Sequence, residues 1–419
     1  MEPLLKRGLL GRIEASLASV PVLILEGPRA SGKTSIGTML ADRGLINTTA
    51  DLGDPTVLAA AASAPTSFVN DLSGPAFIDE AQLVPEIALA VKRRVDRERR
   101  PGMFVLTGSS RLGRTTLGGS DALAGRAVRM RLWPMTQAEL AGSPVSLVSD
   151  LFDAAPGPAF ARAEIARADL LHRIRAGGLP TLAGVIAPIE DAVRAQLSAE
   201  YVEGVVHHEI GRRQDRSEMI RTFKYLAAST SRLLNVSTVA GELQTTRETL
   251  TSRIAALDSS FLVHQLLGHR PAEHRTLTSH PKVHAVDVGL AAWASRLHAD
   301  PPPHEYGGLL ETFVVNELVA QASWNADEIT VRHWRDTARK TEVDAVLLDA
   351  TGASIPVEVK AALDVRRDDL IGLNRYLATV DGARRGIVFY SGGLTLQLDE
   401  NVWAVPISAL WNGLQPGTA

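Results

Sequence analysis

The chain has 419 residues, 45% of them apolar, with 44 basic against 47 acidic side chains and a formal charge of −3. That length and apolar content predict two or three domains, each with a sizeable core. Cysteine is absent, which excludes disulfide frameworks, thiolate nucleophiles and cysteine-ligated zinc or iron–sulfur sites.

The N-terminus, MEPLLKRGLLGRIEASLASV, has no unbroken apolar h-region and no small-residue cleavage site, so no signal peptide is expected. The most apolar stretch, GGLPTLAGVIAPI, is too short for a bilayer and is interrupted by Gly and Pro. A soluble cytoplasmic protein without a membrane partner is the expectation. Near-neutral charge does not decide for or against nucleic acid, because a local basic surface fits within a balanced total. Only seven basic side chains are lysines, at positions 6, 33, 92, 224, 282, 340 and 360. In so arginine-rich a chain, a lysine tends to mark a position that arginine cannot serve.

The first 135 residues alternate strand-like runs (VPVLILEG, INTTADL, GPAFIDE, GMFVLTGSS, RAVRMRLW) with amphipathic stretches. That alternation predicts a parallel α/β sheet. The loop-like segment 141–158 marks a boundary, and 159–230 reads as helical, interrupted by GGLP at 177–180. Two short helices and a strand are predicted over 232–267. From 302 a long helix leads to three strand-like runs (TVRHW, VDAVLLD, SIPVEVK), a helix, and then GIVFY and VWAVP. The expected divisions are 1–140, 141–230, 231–301 and 302–419.

Gly27-Pro28-Arg29-Ala30-Ser31-Gly32-Lys33-Thr34 fits G-x-x-x-x-G-K-[ST], follows an apolar strand and runs through Ser35 into a predicted helix. A glycine loop at a helix N-terminus aims backbone N–H groups at phosphates, and Lys33 and Thr34 are suited to the β/γ-phosphates and Mg²⁺. The strand Ala76-Phe77-Ile78 ends in Asp79-Glu80. Beside a phosphate loop, Asp79 suits Mg²⁺ and Glu80 suits orientation of the attacking water. Thr107, Ser109 and Ser110 end the next strand, where hydroxyls either reach the γ-phosphate and water or cap a turn. The basic run 91–100 reads more readily as a solvated helix face than as a DNA track.

Together with LAGRAVRMRLWPMTQAEL, these motifs resemble the prokaryotic ATPases of the AAA+ superfamily, and within them the group carrying a C-terminal domain long catalogued as of unknown function. The resemblance implies a helical lid with a sensor arginine, Arg173 or Arg175. It also implies an arginine finger at Arg126, serving a neighbouring subunit in a ring or filament; the alternative is a surface arginine at a strand start.

Residues 232–267 carry a winged helix-turn-helix pattern: a helix started at Ser237, a turn at 244–246, then RETLTSRIAAL with Leu250, Ile254 and Leu257 inward. Arg247 and Thr251, with Arg253 on the flank, are candidate DNA contacts. Nine basic and five acidic residues over 210–270 favour phosphate contact.

On the C-terminal strands, alternation puts Glu342 with Asp344 on one face and Glu358 with Lys360 on one face. If those strands pair, carboxylates and a lysine converge, an arrangement suited to metal-dependent phosphodiester hydrolysis. The element order resembles the PD-(D/E)xK nuclease fold. That resemblance implies Asp344, Glu358 and a helix glutamate at a metal, Glu311 ahead of Glu317, with Lys360 catalytic. The rival reading is a domain that has kept the fold and lost the reaction. His207, His208, His280 and His284 read as structural, the last two in a loop around Pro281. The sequence therefore predicts a Mg²⁺- and ATP-dependent DNA-acting ATPase with a nuclease-like domain, or a nuclease-inactive remodelling switch.

Overall fold

The computed structural model describes residues 5–110, 121–142, 146–153, 164–210, 215–270, 280–298, 300–325 and 327–413. They fall into two compact units, residues 1–133 with 259–261, and residues 134–258 with 262–419.

In the first unit the five expected strands form one parallel sheet: β1 (Val22–Glu26), β2 (Thr48–Asp51), β3 (Ala76–Asp79), β4 (Phe104–Gly108) and β5 (Ala127–Arg131), in the order β2-β3-β4-β1-β5. β1, β3 and β4 are buried along their whole length, as continuous apolar runs covered on both faces must be. The helix Lys33–Asp42 lies against β3 at Gly37, where a Cβ would come within 2.6 Å of the Phe77 ring. β4 separates β1 from β3, so three strand ends share the C-terminal edge of the sheet, the usual place for a ligand in an open α/β sheet.

The second unit begins with helices at Gln137–Leu140, Leu147–Asp153, Arg167–Ala176, Asp191–His208 and Arg216–Ala228. Val236–Glu242 and Arg247–Ser259 follow, then the antiparallel pair β6 (Val263–Leu266) and β7 (Lys282–Ala285). Leu250, Ile254 and Leu257 are buried, as their spacing predicts. The first helix of this pair starts before the expected Ser237, because the Asn235 side-chain Oδ1 caps it by accepting from the N–H groups of Ser237 and Thr238. His284, expected in a loop, is a fully buried residue of β7.

The chain then forms the long helix Pro303–Trp324, β8 (Thr330–Asp336), β9 (Thr341–Leu348), β10 (Ser354–Lys360), the helix Ile371–Thr379, β11 (Gly386–Tyr390), β12 (Leu396–Asp399) and β13 (Val402–Pro406). The sheet order is β12-β13-β11-β10-β9-β8. β9 and β10 pair antiparallel, meeting the condition on which the carboxylate cluster depends. Ile387 and Phe389 of β11 pack in one core with Phe313 and Val314 of the long helix, whereas Val388 and Tyr390 pack with Leu373 and Tyr376. The two helices thus cover opposite faces. β12 was not foreseen, since its mostly exposed LQLD carries no apolar run. Among the described residues, no helix is long and apolar enough to cross a membrane.

Candidate functional site

The loop after β1 is shaped by backbone torsions. Ala30 and Gly32 take left-handed conformations at φ 57° and 95°, turns that orient successive N–H groups toward one side. At Gly27 a Cβ would sit 2.3 Å from the Leu132 carbonyl oxygen, so only glycine fits. Arg7 donates to the carbonyls of Ser31 (2.6 Å) and Trp133 (2.7 Å), bracing the loop. No sequence motif marks Arg7. Gly27, Pro28, Ser31 and Lys33 are buried, Gly32 and Ser35 are half-buried, and Arg29, Ala30 and Thr34 are exposed. Lys33 Nζ donates to the carbonyls of Gly27 (3.0 Å) and Pro28 (2.9 Å), closing the loop on its own cation.

Across the edge, Thr34 Oγ1 donates to Asp79 Oδ2 at 2.6 Å. Thr107, fully buried at the end of β4, donates its hydroxyl to Asp79 Oδ1 and accepts from the Glu80 N–H at 3.2 Å. Its hydroxyl therefore contacts the carboxylate expected at Mg²⁺. Glu80 turns away from Asp79 through a left-handed backbone, φ 52°. Its Oε2 accepts from Ser109 Oγ at 3.2 Å and from the Gln82 amide. The two adjacent acids therefore face different partners.

The hydroxyl of Thr34 and the Asp79 carboxylate, already within hydrogen-bonding distance, fit the ligand set of a magnesium ion: hard oxygen donors beside a phosphate-binding loop. Such an ion would supply charge neutralisation for the phosphates.

Residues 19–141 match the family described as "AAA domain". This part of the chain is a P-loop, AAA-type ATPase-like domain. Downstream of the AAA domain, residues 167–301 and 306–410 match two families described as domains of unknown function, DUF8612 and DUF4143. Uncharacterized proteins of Mycobacterium bovis and Mycobacterium tuberculosis are each 26% identical over 414 residues, covering 96% of this chain and 83% of the relative. Among solved structures, similarity is found to the Walker-type ATPase PABY2304 of Pyrococcus abyssi (14% identity, TM-score 0.43, 70% of this chain and 96% of that one). It is also found to AMPPCP-bound DnaA of Aquifex aeolicus (12% identity, TM-score 0.29, 60% and 85%).

Arg126 lies at the opposite edge of the AAA sheet from the loop, since Ala127 pairs with Val22 at the start of β1. It donates to Asp96 at 2.5 and 3.2 Å, and with Lys92 it holds Asp96 below the usual carboxylate range. Within the basic run, Arg94 is buried and donates to the carbonyls of Val69 and Leu72, while Lys92 and Arg100 pair with Asp96 and Glu98.

In the second unit, Arg173 donates to Gln137 Oε1 (2.7 Å) and lies 4.7 Å from the Trp411 ring, and Arg175 donates to the His298 carbonyl (3.1 Å). Arg247 and Thr251 are exposed on the helix Arg247–Ser259. Arg253 corrects the expectation of an outward contact. It is half-buried, and its guanidinium meets Glu218 at 3.1 Å.

The C-terminal cluster assembles with an unforeseen member. Lys282, at the start of β7, donates to Glu311 Oε1 at 2.7 Å and to Asp344 Oδ1 at 2.9 Å, and its side chain is only 4% exposed. The N–H of Val359 takes the other oxygen, Asp344 Oδ2, at 3.0 Å. Lys360 donates to Glu358 Oε1 at 2.8 Å and approaches Asp369 at 3.6 Å. Glu358 Oε2 is buried without a hydrogen-bond partner. Burial, then repulsion from Asp344, raises Glu311 and Glu358 above their ordinary carboxylate values. Burial opposes the charge on Lys282, but Asp344 and Glu311 outweigh it and raise its pKa.

For the metal expected at Glu311, Asp344 and Glu358, no group of three or more His, Asp or Glu side chains arranged to hold an ion is found among the described residues. An ammonium stands between two of the expected ligands. Lysine scarcity was the available signal for Lys282. Glu342 stays exposed beside Arg335. Glu317 lies apart, accepting from the Gln137 N–H at 2.8 Å. Among the histidines, His264 and His284 stack at 5.3 Å, and His284 Nδ1 hydrogen-bonds with Thr312 Oγ1.

Proposed function

We propose that this protein is a magnesium-dependent ATPase that couples its nucleotide cycle to DNA, with a nuclease-like domain that does not cleave in the arrangement described. The observation carrying the ATPase reading is the contact of Thr34 with Asp79, beside a loop whose lysine is held at its mouth. Lys33 and the loop N–H groups would bind the phosphates, Thr34 and Asp79 would hold the cation, and Glu80 would accept a proton from, or orient, the attacking water. DNA as partner is supported by the exposed Arg247 and Thr251 on the second helix of a helix–turn–helix followed by a two-stranded hairpin. The nuclease-inactive reading is favoured by Lys282, which neutralises two of the carboxylates that hydrolysis would assign to a metal.

Calorimetry and turnover assays test the central reading. Lys33→Ala should lose ATP affinity, whereas Glu80→Gln should bind ATP normally and turn over at least about 100-fold more slowly, the usual scale of a lost general base. Normal turnover in Glu80→Gln would remove that residue from the chemistry.

A further inference from the structure

A cluster of buried carboxylates requires a counter-cation, and the fold resemblance names a divalent metal for it. The residues present do not fit that metal. Glu311 Oε1 and Asp344 Oδ1 are both within 2.9 Å of one ammonium nitrogen, and Asp344 Oδ2 is taken by the Val359 N–H. A metal ion at those oxygens would coincide with Lys282 Nζ or lie in repulsive contact with it. The cluster is nevertheless built like a cation site. Glu358 is 9% exposed, and its Oε2 is buried with no hydrogen-bond partner among the described residues.

We propose that Lys282 is a tethered cation that occupies the C-terminal carboxylate site, so that the hairpin β6–β7 excludes divalent metal from Glu311, Asp344 and Glu358. This inference rests on the nuclease-like reading of the C-terminal domain and is independent of ATP turnover. Three features fit an ammonium in this role. It has three donors in a compact head, where a guanidinium is planar and wide. It belongs to a residue used only seven times in the chain. It also arrives from outside the nuclease-like sheet, on β7, whose partner is β6.

The test uses the full chain without nucleotide and Mn²⁺ as the probe, counted by electron paramagnetic resonance. The wild type and Asp344→Asn should bind equal numbers of Mn²⁺, because the cluster holds none. Lys282→Met, similar in length and uncharged, should gain one bound Mn²⁺, which Lys282→Met with Asp344→Asn should lose. In melting experiments Mn²⁺ should raise the Tm of Lys282→Met and leave that of the wild type unchanged. A Mn²⁺ present in the wild type and missing in Asp344→Asn would overturn the proposal. So would a folded Lys282→Met, checked by circular dichroism, that gains no ion. Should Lys282→Met fail to fold, Lys282→Met with Glu311→Gln carries the same measurement with one fewer uncompensated charge. ATP turnover, assayed separately, reports on the AAA domain alone, so failure of one reading is distinguishable from failure of the other.

Discussion

At the scale of single residues, environment separates side chains that look equivalent in sequence. Asp79 and Glu80 are adjacent acids, yet one accepts from Thr34 and Thr107 while the other, turned by a left-handed backbone, accepts from Ser109 and Gln82. A glutamate held at φ 52° is strained, and such strain persists only where surrounding bonds fix it. Glu311 and Glu317, six residues apart on one helix, differ as sharply. Glu311 meets the Lys282 ammonium, whereas Glu317 Oε1 accepts from the Gln137 N–H. Burial pushes the Glu317 carboxyl up to about 8. A folded-state pKa above the unfolded value of 4.5 means that stability present below pH 4.5 is lost as pH rises through 8. Glu317→Gln keeps the accepting oxygen and removes the ionisation. Its unfolding free energy should match the wild type near pH 4.5 and exceed it increasingly toward pH 8, where the difference reaches on the order of a few kcal/mol. Parallel pH dependence of the two proteins would show that Glu317 does not titrate in this way.

At the scale of elements, legibility followed the strength of the local signal. The strands β1, β3 and β4 of the AAA sheet, and β11 after residue 302, were readable because each is a buried, largely apolar run. The phosphate loop was readable because its torsions demand glycine at fixed positions. Less was legible where a partner distant in sequence decides the role. Thr107 is drawn to Asp79 by the insertion of β4 between β1 and β3, and no spacing encodes that neighbour. Lys282 meets Asp344 across 62 positions. The helix Arg247–Ser259 shows the same limit: its apolar spacing identified the buried side, but not that Glu218 captures Arg253. The consequence is a split between two arginines on one helix. Arg247→Ala should weaken binding to duplex DNA and lower the salt slope by about 1, as removal of one phosphate contact does. Arg253→Ala should leave the slope unchanged and lower stability by no more than about 1 kcal/mol, because Glu218 keeps its pair with Arg221 at 3.3 Å. Fluorescence anisotropy over a salt series, with urea unfolding of both variants, separates the outcomes; equal salt slopes in the wild type and Arg247→Ala would exclude Arg247 from the DNA surface.

At the scale of the whole molecule, the position of Arg126 bears on whether one chain makes a complete ATP site. The parallel register of β1 and β5 sets Arg126 before the first residue of β5, while the phosphate loop follows the last residue of β1. Five residues of strand separate those edges, roughly 16 Å at the rise of a parallel strand. Arg126 therefore has no access to the phosphates of its own chain, and any transition-state role must be exerted on another copy after exchange from Asp96. The pair with Asp96 is partly exposed, with side chains 32% and 39% accessible, so its release is inexpensive in water. Arg126→Ala should then bind ATP with near-normal affinity and fail to hydrolyse it, as Glu80→Gln also should, but for a different reason. Mixing the two inactive proteins provides the test. A site pairing the intact Glu80 of an Arg126→Ala chain with the intact Arg126 of a Glu80→Gln chain is complete. Random assembly should restore about a quarter of wild-type turnover, because each interface draws both intact halves with a probability of about one half apiece. Recovery should rise with protein concentration as the assembly forms. A mixture no more active than its components, measured at concentrations where the wild type is fully active, would exclude a shared site and return Arg126 to its ion pair with Asp96.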